Sequence, residues 1–179
     1  MSLAALFGLL LSGGSGSLVA GNQPDLARGE AIYAEACAAC HGADLEGEPD
    51  WRSPGPDGRL PAPPHDASGH TWHHPDRVLL DITMRGTAAV VGGGYESNMP
   101  GFAESYSEEE LRDVLEWIKA QWPEQERAHQ ARVTAQDEAN ADRRASRRIR
   151  AVLGYRGFPP SASIAVKPAR RSPQRPGNG

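Results

Sequence analysis

Two cysteines are all that this 179-residue chain carries, and aromatic side chains make up only 6% of it. Two cysteines cannot by themselves complete a four-ligand zinc site. With 20 Gly and 15 Pro set against so few large apolar side chains, the chain is poorly supplied for building a wide core unaided. Its length allows one ordinary domain with tails, and not two. Long apolar runs are lacking too. Leu3 to Leu11 is nine residues, short of the roughly 20 that a membrane span needs. Gly92-Gly93-Gly94 has no Lys-Ser/Thr after it and leads into no helix, which excludes a phosphate loop. There is no strand signal and no internal repeat.

The formal charge of −4 hides a split. Between Asn22 and Trp122, 18 acids face 7 bases; from Pro123 to Ala141, 4 face 2; from Asp142 onward, 1 faces 10. The average therefore describes no segment, and each needs its own reading. The run Arg143-Arg144 and Arg147-Arg148-Ile149-Arg150 lacks the interleaved aromatics that would favour nucleic acid. Anionic lipid, an acidic partner and plain solvation stay open for it.

The start of the chain reads as an export signal. Leu3 to Leu11 is a short apolar stretch, and Ser/Gly spacers lead to small residues at Ala20 and Gly21, which suits cleavage there. The segment before it has no Lys or Arg, and an uncleaved anchor is the alternative. Asn22 stands where a lipidated signal needs Cys, so lipidation is excluded. The organisation expected is a signal peptide over 1–21, a compact domain over 22–123, a polar helical extension over 124–153 and a disordered basic tail over 154–179.

Within the compact domain the spacing predicts three helices. The first runs from Asp25 to about Ala39, with Leu26, Gly29, Tyr33, Ala36, Cys37 and Cys40 on one face. Gly29 costs about 1 kcal/mol against Ala in a helix, unless another helix approaches it closely. The second runs from Pro75 or Asp76 to Arg85, burying Val78, Leu79 and Ile82. The third opens on a Ser107–Glu110 capping box and carries Leu111, Val114, Leu115, Ile118 and Trp122 until Pro123 interrupts. Gly42 to His74 and Thr87 to Phe102 read as loops. The former is 33 residues with 11 Gly or Pro. A compact domain tolerates so long a loop only when something else supplies a surface to wrap.

Both cysteines fall in Cys37-Ala38-Ala39-Cys40-His41. Cys-x-x-Cys-His is the attachment signature of c-type haem: two thiols bond the porphyrin vinyl carbons and the adjacent imidazole lies beneath the iron. A redox pair would need a βαβ context, and zinc would need further ligands from the later histidines. A plain disulfide is the remaining alternative. A low-spin electron carrier needs a sixth iron ligand, usually Met or His. Met84 falls on a helix and reads as packing. Met99 falls in Asn98-Met99-Pro100-Gly101-Phe102, 58 residues after His41, and is the favoured ligand.

With these residues the sequence resembles the small monohaem (class I-like) c-type cytochromes of bacteria. The resemblance covers about Pro24 to Trp122. It rests on Arg28-Gly29-Glu30 and Tyr33, on Cys37 to Gly42, on Met99-Pro100 with Phe102, and on the closing helix with Trp117. It implies a mainly α fold, three or more helices around one covalent haem c, with few or no strands. Cys37 and Cys40 would hold the haem, and His41 and Met99 would be its axial ligands. The first and last helices would cross near Gly29 and Tyr33, against Leu115, Trp117 or Ile118.

The long Pro/His-rich loop resembles an expansion seen in a subgroup of those cytochromes. One of its six prolines is expected to accept the Nδ1 hydrogen of His41. Trp51, Arg52, Arg59 and Trp72 are candidate partners of the haem propionates. His65, His70, His73 and His74, with Asp66 and Asp76 nearby, are read either as a second metal site, with copper as the candidate ion, or as a polar loop bonded within the chain. The function expected is single-electron transfer by an exported, periplasmic protein. A monomer is expected, with no nucleic acid partner. Its acidic domain would be steered to basic patches on protein redox partners. Weak membrane-surface contact by the basic tail stays open. A metal-binding module, or a small peroxidase or sensor should Met99 not bind iron, are the rival functions.

Overall fold

The computed structural model describes residues 23–152. The expected signal over 1–21 and the tail over 154–179 lie outside the described residues. Among the described residues there is no strand, in keeping with a small cytochrome c fold.

Helix α1 (Leu26–Ile32) begins where the Asp25 side chain accepts the Arg28 N–H at 3.0 Å. It does not continue regularly to Ala39 as the periodicity predicts. Tyr33–Cys37 forms a wider π-helical turn, closed by the Ala38 N–H on the Tyr33 carbonyl, before α2 (Ala38–His41). A π turn takes up an extra residue within the helix, so everything beyond Tyr33 is rotated relative to α1. The wide turn places the Cys-x-x-Cys-His stretch on its own short helical segment. Apolar spacing alone does not register such a turn, because it alters one hydrogen-bond step without altering composition.

Helix α3 (Asp76–Arg85) keeps its expected limits, with Pro75 before it and Gly86 after it. Its buried face is Leu79, Leu80 and Thr83, while Val78 and Ile82 are only half-buried. Thr83 can point inward because its hydroxyl donates to the Leu79 carbonyl at 2.8 Å, which satisfies it within the helix. The expected loop from Thr87 contains a further short helix, α4 (Thr87–Val91), between Gly86 and Gly92. Five residues are too few to carry a readable period.

Helix α5 (Glu108–Ala120) opens on the expected capping box, both hydrogen bonds of which are present. It buries Leu111, Val114 and Ile118, and Trp122 is buried just beyond it. Helix α1 crosses it at Gly29. A Cβ added there would run into the Asp113 carbonyl and would stand 3.0 Å from Trp117 Cβ. Glycine is thus required by close approach of two backbones. One helical turn on, the Tyr33 and Trp117 rings meet with centroids 4.8 Å apart. Trp117 is the partner that the crossing selects. The core around it joins Ile32, Tyr33, Leu45, Val114, Ile118 and Trp122. Each such side chain contributes on the order of 1.5–3 kcal/mol by burial.

The residues after Pro123 form α6 (Glu124–Val152), in which only Gln130 is buried. By contacts the described residues divide into two compact units between Ala135 and Gln136. In the first unit the early turns of α6 are held by polar groups. Gln130 Nε2 donates to Asp76 Oδ1 at 2.5 Å, Thr134 Oγ1 at 3.0 Å and the His74 carbonyl at 3.3 Å.

Candidate functional site

Cys37 ends the π turn, and Cys40 and His41 lie on α2. Both cysteines are free thiols. Burial, and secondarily Cys40, pushes the Cys37 thiol up to about 11. A redox-active pair needs a lowered pKa, and the βαβ frame is missing among the described residues. A redox pair is therefore unsupported.

The segment after His41 is folded back beneath it by a chain of hydrogen bonds. The Tyr33 hydroxyl donates to the Gly42 carbonyl at 2.8 Å, and the Gly47 N–H donates to the His41 carbonyl at 2.8 Å. Gly47 has φ +68, and a Cβ there would meet Pro64 N at 2.5 Å and the Pro63 carbonyl carbon at 2.7 Å. No other residue allows the Pro63-Pro64 strand of loop to lie so close. Leu45, buried with φ 68, turns its carbonyl to accept the His65 N–H at 2.8 Å.

This fold-back places the Pro63 carbonyl 2.9 Å from His41 Nδ1. A carbonyl only accepts, so Nδ1 carries the proton and the lone pair of the neutral ring is on Nε2. Burial lowers the His41 pKa against the opposing effect of that hydrogen bond, which keeps the ring neutral. Of the six prolines in the loop, Pro63 is the one that fixes the ring. A second imidazole braces it: His65 stacks on His41 with centroids 3.9 Å apart. His65 Nδ1 in turn lies 2.8 Å from Thr71 Oγ1, and the His65 carbonyl accepts from Trp122 Nε1 at 2.6 Å.

Met99 belongs to a different part of the fold. Its loop is tied to the end of α3 by the Phe102 N–H on the Thr83 carbonyl at 3.0 Å and the Ala103 N–H on the Met84 carbonyl at 3.2 Å. The Thr87 hydroxyl, on α4, lies 3.4 Å from Met99 Sδ. Arg59 straps the Pro-rich loop to this segment: Nη1 donates to Asn98 Oδ1 at 2.7 Å, and Nε stands 3.6 Å from Glu96 Oε2. Arg59 Nε is buried without a hydrogen-bond partner.

The other loop residues separate into two stacks. Trp51 lies parallel to His70 at 5.2 Å, with the Arg52 guanidinium over its ring, and His70 meets His74 edge-on at 5.4 Å. Trp72 stacks on His73 at 3.7 Å, and both meet His129 edge-on. Among the described residues no group of three or more His, Cys, Asp or Glu side chains could hold a metal ion. The rings of His70, His73 and His74 are engaged in stacking and edge-on contacts within the chain. Sequence reasoning missed His129 because it lies 55 residues beyond His74, on a helix read as solvated. It missed Thr87 because a lone threonine in a loop gives no signal.

The donor set fits haem c. Two thiols lie three residues apart, a neutral imidazole has its free lone pair on Nε2, and a thioether sits in a pinned loop. Arg59 Nε, buried without a hydrogen-bond partner and paired with Glu96 only at 3.6 Å, can donate to an acidic ligand group. A family model described as Cytochrome c matches residues 26–122. Among curated proteins and among solved structures no match is found. The matched segment includes the haem-attachment motif, Met99 and the α1–α5 crossing, and the chain belongs to the cytochrome c family.

Proposed function

We propose that this chain is an exported carrier of single electrons, with one haem c held by Cys37 and Cys40 and ligated by His41 and Met99. Haem c, when bound, supplies an iron that gains or loses one electron. The observation that carries the reading is the hydrogen bond from His41 Nδ1 to the Pro63 carbonyl. It sets the tautomer and aim of a ring next to two thiols, as partners of a metal-bound histidine do. Met99 brings a thioether, which favours the reduced state. Thr87 orients its sulfur, and the Pro-rich loop keeps water from the His41 side.

With His41 and Met99 as its protein ligands, the haem iron would have no position left for a substrate, which supports electron carriage over catalysis. Over Asn22–Trp122, 18 acidic residues against 7 basic ones would steer it to basic patches on periplasmic redox partners, more weakly as salt rises. The test is the optical spectrum of protein matured in a haem-attaching host. A covalent low-spin haem is expected, with a long-wavelength Fe–Met band that disappears in Met99→Leu. High-spin ferric haem without that band would favour a peroxidase or sensor, and lack of covalent haem would end the proposal.

A further inference from the structure

The second compact unit holds a feature that electron transfer does not use. From Ala141 to Val152 every residue of α6 is exposed, and this stretch carries Arg143, Arg144, Arg147, Arg148 and Arg150 against the single acid Asp142. At 3.6 residues per turn the five arginines fall within an arc of about 160°. Ala145, Ile149 and Val152 fall in the opposite sector. Ile149 is 59% exposed and Val152 is 86% exposed. Among the described residues the ion pairs leave these arginines out; Arg143 alone is engaged, donating to Asn140 Oδ1 at 2.6 Å.

We propose that this stretch of α6 docks on an anionic lipid bilayer, its apolar sector turned to the bilayer and its arginines reaching the headgroups, and holds the cytochrome at a membrane surface. Charge complementarity supplies the attraction: clustered guanidinium groups meet lipid phosphates, at roughly five-fold in partitioning per basic residue close to the surface. The apolar sector favours a bilayer over an acidic protein. With exposed Ile149 and Val152 toward the bilayer, Arg148 and Arg144 at the near edge of the arginine arc can reach headgroups on their long stems, which is the pattern of an interfacial helix. No helix among the described residues is long and apolar enough to cross a membrane, so the contact would be peripheral and salt-sensitive.

The experiment is co-sedimentation of the haem-loaded full chain with vesicles of phosphatidylglycerol and phosphatidylcholine, or of phosphatidylcholine alone. Binding to the anionic vesicles only is expected, lost at high salt. Changing Arg144, Arg147 and Arg148 to Gln should weaken it roughly a hundred-fold, whereas the same three changed to Lys should retain most of it. Ile149→Ser should weaken it further at constant charge. Equal binding to both vesicle types would overturn the proposal, as would a triple Gln variant that binds like the parent. Indifference to Ile149→Ser would point to a purely acidic partner instead. Vesicle-free self-association that disappears in the triple Gln variant, without lipid binding, would make a second copy of the chain the occupant. An unchanged haem spectrum in each variant shows that the fold is kept.

Discussion

The imidazole of His65 lies on that of His41, centroids 3.9 Å apart and planes 20° apart. Two backbone segments separated by a 23-residue loop are thereby clamped at the ring that would face the iron. His65 is itself held on three sides, by Thr71 at Nδ1, by the Tyr33 ring edge-on at 6.4 Å and by Trp122 at its carbonyl. The His41 ring therefore has little freedom to turn about its bond to the chain, which is what a fixed axial ligand requires.

Truncation of this brace should be felt as stability. His65→Ala removes a packed aromatic side chain and leaves the Thr71 hydroxyl without its partner. A loss of about 2–4 kcal/mol is expected. His65→Phe keeps the stack and should recover more than half of it. Guanidinium unfolding of the haem-loaded protein measures both; a His65→Ala midpoint equal to the parent's would show that the stack bears no load.

Gly29→Ala separates helix propensity from packing. In an isolated helix the change would stabilise by about 1 kcal/mol. Here the new methyl meets the backbone carbonyl of Asp113, which cannot move without shifting α5, and stands 3.0 Å from Trp117 Cβ. A net loss of about 2 kcal/mol or more is expected, with reduced Trp–Tyr contact visible in near-ultraviolet circular dichroism. Thermal melting at a single pH suffices, and a raised melting temperature would refute the close crossing.

Much of this could be read before any coordinates, and what could not has physical reasons. The Ser107–Glu110 cap, the limits of α3 and the need for Gly29 at a crossing are local or pairwise signals, written in residue type and spacing. The Cys-x-x-Cys-His chemistry is equally local. The π turn at Tyr33 was hidden because it leaves composition unchanged. The choice of Pro63 among six prolines depends on Gly47 and Leu45, whose positive φ values decide which carbonyl comes round to His41. The start of α6 was legible as a helix but not as part of the first compact unit. Its contact is the amide of Gln130 on Asp76 and His74 rather than an apolar stripe.

Acid should destabilise the protein through its loop histidines. Burial lowers the pKa of both His70 and His74; nearby His74, His73 and Arg52 lower His70 further, and His73 lowers His74. The unfolded chain therefore binds more protons than the folded one below the ordinary value of 6.5. Stability from this source is complete above pH 6.5 and is lost as pH falls through the window beneath it. Changing both residues to Gln should flatten the slope of unfolding free energy between pH 7 and pH 5. An unchanged slope would mean that these rings titrate as free histidines do.

The Thr87–Met99 contact makes the last prediction, one about potential rather than stability. A hydroxyl 3.4 Å from Met99 Sδ draws electron density from the thioether, which, with Met99 as the proposed ligand, would make it a weaker donor to an oxidised iron. Thr87→Val keeps the shape and removes the hydroxyl. If the hydrogen bond is worth about 0.5–1 kcal/mol, the reduction potential of the haem-loaded protein should fall by about 20–40 mV for a one-electron couple. The long-wavelength Fe–Met band should persist, because the sulfur still reaches its place. Thr87→Ser, which restores the donor, should return the potential toward that of the parent. A Thr87→Val potential within a few millivolts of the parent would show that the hydroxyl only packs against the sulfur. Redox titration followed at the haem bands decides it, and the variant pair distinguishes a lost hydrogen bond from a lost methyl contact.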